Sequence, residues 1–97
     1  MRNARFDLTF LTVNGIPVEL VGGSLIVAEP EGITTPDWEA VCRSTETLEL
    51  QRQPYDVELG TEDRQFAGAA LLVRSDGTSH VFRGGSPLMG VRDGDLQ

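Results

Sequence analysis

Asn14-Gly15 lies between two apolar segments, Arg5–Val13 and Ile16–Val21. This dipeptide is a strong signal for a two-residue β-hairpin, because both residues accept the positive φ of a type I′ turn. Such a turn sets Val13 opposite Ile16, Leu11 opposite Val18 and Thr9 opposite Leu20. Leu11, Val13, Ile16, Val18 and Leu20 then share one face, and Phe6, Leu8, Phe10 and Val21 the other. A half-solvated antiparallel ribbon is apolar on one face only. The second face therefore needs another layer of this chain, or another chain.

The rest of the chain continues in β character. Gly22-Gly23 breaks the pattern, and Ser24–Ala28 resumes it as a short strand before a loop over 29–35. Alternation marks Thr45–Arg52 and Tyr55–Leu59 as strands wet on one face. Gln65–Arg74 is a longer strand whose small residues, Ala67 to Ala70, admit a close neighbour. Ser79–Arg83 returns after Ser75-Asp76-Gly77, through a two-residue turn or a three-residue loop, which would face His80 oppositely. Leu88–Val91 is a candidate last strand. Over 36–43 two patterns compete. Thr35 as cap, Pro36 and Asp37 suit a short helix, whereas Trp38, Ala40 and Cys42 alternate as in a strand. The start signals favour the helix.

The expected fold is therefore all-β: a small antiparallel barrel or sandwich of seven or eight short strands built from hairpins, with one short helix near 36–43. Residues 1–92 form a single domain and 93–97 a frayed tail. The spacing from Asn14-Gly15 to Gly22-Gly23-Ser24 recurs 62 residues on (76 minus 14), from Asp76-Gly77 to Gly84-Gly85-Ser86. Chance in a glycine-rich β chain competes with two pseudo-equivalent hairpins.

Charge narrows the function. The basic residues number 8, all Arg, against 15 acidic ones, a net of −7. Without Lys there is no Schiff-base chemistry and no P-loop lysine. An acidic domain with no basic face does not bind DNA, RNA or anionic lipid directly. The longest uncharged run, Leu8–Val18, is too short and too polar to cross a membrane, and no signal peptide is visible. One cysteine, Cys42, forms no internal disulfide, which points to a reducing, cytoplasmic compartment. One histidine and one cysteine assemble no structural zinc site, so neither metal nor cofactor is expected.

No group of residues makes a convincing catalytic set. Cys42, His80 and Asp76 lack any local signature, and the neighbours of Cys42 suggest a buried thiol. Asp56 with Glu58, and Glu46 with Glu49, sit where acids normally face water. Asp93 and Asp95 lack the further oxygen ligands of a calcium loop. Two candidate sites remain. Backbone N–H groups of Gly84, Gly85 and Ser86 beside Arg83, with Arg74 and His80 across the hairpin, could hold a small anion. Phe6, Leu8, Phe10, Val18 and Val21 on the doubly apolar hairpin, together with Trp38, could form a protein interface.

The reading that follows is a non-catalytic, acidic β domain acting by protein–protein interaction and self-association, an assembly or accessory protein of bacterial or phage type. The alternatives are a small-molecule or anion-binding barrel, and an acidic inhibitor of a nucleic-acid-binding protein.

Overall fold

The computed structural model describes residues 1–32 and 35–97, so residues 33–34 of the expected loop lie outside the described residues. Eight strands follow in chain order: β1 (Arg2–Asp7), β2 (Phe10–Val13), β3 (Ile16–Val18), β4 (Leu20–Glu29), β5 (Asp37–Ser44), β6 (Pro54–Gly60), β7 (Gln65–Asp76) and β8 (Ser79–Gly84). All pair antiparallel in one sheet of order β1-β4-β5-β8-β7-β6-β2-β3. The protein is all-β as expected. The ladder does not close on itself, however, so the architecture is one curled, open sheet rather than a complete barrel or a two-layer sandwich.

The curl follows from one corner. The strand expected over 5–13 is two strands, β1 at one edge of the sheet and β2 second from the other edge. At the joint, Leu8 N donates to Gly23 O at 2.9 Å and Thr9 N donates to Gly60 O at 2.8 Å. Inward parity switches there. Ala4 of β1 and Leu8 of the joint are buried, and then Leu11 and Val13 of β2. The returning chain switches too, through a bulge between Leu20 and Gly22, so that half-buried Val18 gives way to buried Leu25 and Val27. Each face of the hairpin is thus turned inward over half its length. Most of its apolar residues enter one core, and only Ile16 and Val21 remain mostly exposed.

The turn itself is as expected. Asn14 has φ 49° and Gly15 φ 81°, and Val13 pairs with Ile16 and Leu11 with Val18. Thr9 does not pair with Leu20, which meets Ser44 instead. The second hairpin matches neither expected register. Asp76 pairs with Ser79 across Gly77-Thr78, and only Gly77, at φ 61°, has positive φ, which suits a type II′ turn.

Residues 36–43 form no helix; all but Pro36 belong to β5. Ladders to β4 and β8 take up backbone groups on both sides of Asp37–Ser44. A two-turn helix would leave many of those groups unpaired at its ends. Trp38, Ala40, Cys42 and Ser44 consequently all point inward. Thr45–Arg52 is not a strand but a loop, held by Thr45 N donating to Glu19 O at 3.0 Å and Leu48 N to Gly77 O at 3.1 Å. Leu88–Val91 contributes only a bridge between Met89 and Ala67.

The C-terminal tail is docked rather than frayed. Asn3 and Gln97 exchange backbone hydrogen bonds at 3.0 Å, and Leu96 is buried. Arg64 grips Asp95 with two hydrogen bonds, 2.6 and 2.9 Å, while its guanidinium lies 5.2 Å from the ring centroids of both Phe6 and Phe66. Those rings stand 4.7 Å apart, joining β1 to β7 across the sheet's opening.

Candidate functional site

Three regions bear on function: the buried polar group around His80, the glycine pair after β8, and the outer surface.

His80 and Ser44 are the buried polar side chains of the core. Cross-strand pairing of β8 with β7 puts His80 beside Ser75, and with β5 beside Cys42. Ser44 Oγ donates to Glu46 O at 2.6 Å, which spends its one proton. It therefore accepts from His80 Nε2 at 3.1 Å. Nδ1 then accepts from Ser75 Oγ at 2.8 Å. This polarity is opposite to that of a serine nucleophile, which donates to its base. Burial holds the imidazole below its usual pKa, in the neutral form that this network needs. Cys42 lies next to His80, yet both ring nitrogens serve the serines. Burial pushes the Cys42 thiol up to about 12, far from a reactive thiolate. Among the described residues no group of three or more His, Cys, Asp or Glu is placed to hold a metal ion.

The expected anion site does not assemble. His80 is fully buried, whereas Arg83 points outward, 3.9 Å from Glu39, and Arg74 is exposed. Gly85 N donates to Ala69 O at 2.8 Å, and Ser86 Oγ accepts from Ala69 N at 2.9 Å, so the would-be cradle is used by β7. Gly84 serves Trp38: a Cβ there would stand 2.3 Å from the indole nitrogen, which donates to Ser86 O at 2.8 Å. The run Arg83-Gly84-Gly85-Ser86 is a tryptophan seat.

The expected interface residues separate. Leu8 and Trp38, each 4% exposed, belong to the core and cannot meet a partner. Phe6 and Val18 are half-buried against that core. Phe10 pairs with Gly60 and is half-buried, its ring 2.8 Å from where a Cβ on Gly60 would stand. Val21 alone of the six is largely open.

Two features escaped the sequence reading. The first is an outward apolar patch on four adjacent strands. Pairing aligns two rows across five strands: Arg5, Ile26, Glu39, Arg83 and Leu71, then Asp7, Ser24, Val41, Val81 and Arg74. Ile26, Val41 and Leu71 are 44%, 40% and 50% exposed, and Val73, in the bulge beside Arg74, is 42% exposed. Ile26, Leu71, Val73 and Val81 lie in segments whose β character the sequence shows, whereas Val41 lies in the segment whose start signals suit a helix. Strand order, which brings them together, was not in the sequence. The second is a cavity of about 380 Å³ between β3 and the 45–50 loop, invisible while that loop was read as a strand.

No protein-family model, curated protein or solved structure matches this chain. No helix among the described residues is long and apolar enough to cross a membrane.

Proposed function

We propose that the protein is a non-catalytic interaction module that self-associates through the outward face of β4, β5, β8 and β7. The observation that carries this reading is the set of outward aliphatic residues Ile26, Val41, Val81, Leu71 and Val73 on four adjacent strands, with the Glu39–Arg83 pair between Ile26 and Leu71 and with Arg5, Asp7 and Arg74 at the sides. Apolar surface gathered in one place and rimmed by polar groups marks a docking surface more than scattered residues do. A rim carrying both signs lets the same surface face a copy of itself.

Docking by the face is favoured over docking by the sheet's edges. Val13 and Ile16 flank the two-residue turn as its hydrogen-bonded pair, so the nitrogen of Pro17 points to the free edge of β3, where it has no proton to donate. On β1 the outward position Asn3 is already taken by Gln97, and Arg5 and Asp7 follow it. The single cysteine, buried and unpaired, suits the cytoplasmic setting expected from the sequence.

Native mass measurement across a concentration series tests the proposal. The wild type should appear at a multiple of 10.5 kDa, and Val41→Glu should reduce it to the single chain with unchanged β-type circular dichroism. A wild type at the single-chain mass throughout, or an oligomer that survives both Val41→Glu and Ile26→Glu, sinks it.

A further inference from the structure

The cavity beside β3 lies apart from that docking face. Its walls are Val13, Ile16, Pro17 and Val18 on one side and Leu48, Leu50 and Tyr55 on the other. Both walls are fixed in advance. The hairpin is set by its type I′ turn, and the loop by Ser44 N donating to Thr78 O at 2.9 Å, Leu48 N to Gly77 O and Tyr55 Oη to Gln51 O at 2.8 Å. Tyr55 Oη is therefore occupied, and its ring presents as wall rather than as a donor. Ser44, at the inner end, has both its proton and a lone pair engaged by Glu46 O and His80. The cavity thus offers apolar surface inside and few free polar groups.

Its charged lining has one sign. Glu19 and Glu46, both exposed, line the space, and among the described residues no basic one does. A carboxylate ligand would meet repulsion here, whereas an ammonium head would sit between two carboxylates at the mouth with its hydrocarbon body inside. Pre-formed apolar pockets with a few charged groups at one end are the usual form of a small-molecule site.

We infer that this cavity is a binding site for a small apolar amine, whose tail fills the space between Val18 and Leu50 and whose ammonium lies between Glu19 and Glu46. This site differs from the anion site expected after β8 in both place and sign. It is also independent of self-association.

Octylammonium, octanol and octanoate, each below its aggregation concentration, test the assignment by titration against the full-length protein with backbone amide NMR. Octylammonium should give saturable shifts confined to Val13–Glu19, Ser44–Leu50 and Tyr55, binding about tenfold more tightly than octanol, with octanoate weaker than both. Glu19→Gln with Glu46→Gln, two exposed changes, should bring octylammonium down to the octanol level while octanol is unaffected. Leu50→Arg should remove binding of both, and a preserved amide spectrum would show that the fold survives. Octanoate binding as well as octylammonium, or saturable shifts confined to residues away from the cavity lining, overturns the inference. So does an unchanged amine preference in the double glutamine variant, or the absence of any saturable shift.

Discussion

The segments around Gly22-Gly23-Ser24 and Gly84-Gly85-Ser86 are alike in sequence and different in structure. Each follows a tight turn and a short return strand. In the first, the chain runs on through both glycines inside β4, bending at a bulge. In the second, the strand ends at Gly84 and the chain leaves the sheet. Even the turns are out of step: Asn14-Gly15 is the two-residue turn of one hairpin and Gly77-Thr78 that of the other. The matching spacing does not carry matching hairpins. In each pair only one glycine is required by packing, and it is not the same one. A Cβ on Gly23 would stand 2.9 Å from the backbone oxygen of Val41, whereas one on Gly22 meets nothing within 4 Å. A Cβ on Gly84 would enter the Trp38 indole, whereas one on Gly85 makes only ordinary contact at 3.4 Å or beyond.

Among these four glycines the largest effect is therefore expected at Gly84. Gly84→Ala must expel a rigid ring whose nitrogen is tied to Ser86 O, and should destabilise by about 2–4 kcal/mol. Chemical denaturation of Gly84→Ala, Trp38→Leu and the double variant checks it. With the indole gone, the alanine should cost far less. A cost independent of residue 38 would mean that Gly84 is required for some other reason.

Gly23→Ala comes next, at about 1–2 kcal/mol. Its obstacle is a backbone oxygen held in the β4–β5 ladder, which yields by a few tenths of an ångström at most. A stability loss equal to that of Gly84→Ala would erase the distinction between a backbone and an indole neighbour.

The two hairpins differ also in what they bring inside. The first delivers aliphatic residues alone, whereas the second delivers His80. The folded protein holds this imidazole below its unfolded pKa of 6.5, by burial. In the range between the two values the unfolded chain binds more protons, so stability rises with pH there. The His80 contribution is complete above about pH 6.5 and is lost as the pH falls through the folded value. A second acid-sensitive contact lies lower. The Arg64 guanidinium holds the Asp95 carboxyl at about 2, so its contribution fades between roughly pH 4 and pH 2. Denaturation midpoints from pH 7 to pH 4 should fall for the wild type and flatten in His80→Gln. Equal slopes in the two proteins would mean that the histidine is not what titrates.

These contrasts mark what was legible in the sequence. Local chemistry was: Asn14-Gly15 announced its turn, and Tyr55, Val57 and Leu59 alternated as a strand does. Parity was legible only within a strand. The switches at Leu8–Thr9 and at Leu20–Gly22 make one continuous core look, in sequence alone, like a hairpin with two apolar faces in need of a partner. The switches depend on pairing with Gly23 and Gly60, distant in sequence. Trp38 illustrates the same limit. Its helix start signals are local, whereas its seat on Gly84 and its bond to Ser86 are 46 and 48 residues away (84 and 86 minus 38). Strand order alone gathered Ile26, Val41, Val81 and Leu71 into one patch.

The smallest expected effect, at Gly22, has the opposite sign. Its added methyl would meet open space, and its φ lies outside the left-handed range, so the folded state should accept Gly22→Ala without strain. The unfolded chain would meanwhile lose conformational freedom, which stabilises a protein by about 0.4–1 kcal/mol at a compatible site. Gly22→Ala should accordingly raise the denaturation midpoint slightly, while Gly23→Ala, one residue on, lowers it. Should Gly22→Ala prove destabilising instead, the bulge between Leu20 and Gly22 would itself require glycine. The corner that turns both hairpin faces inward would then be specified by residue type as well as by strand pairing.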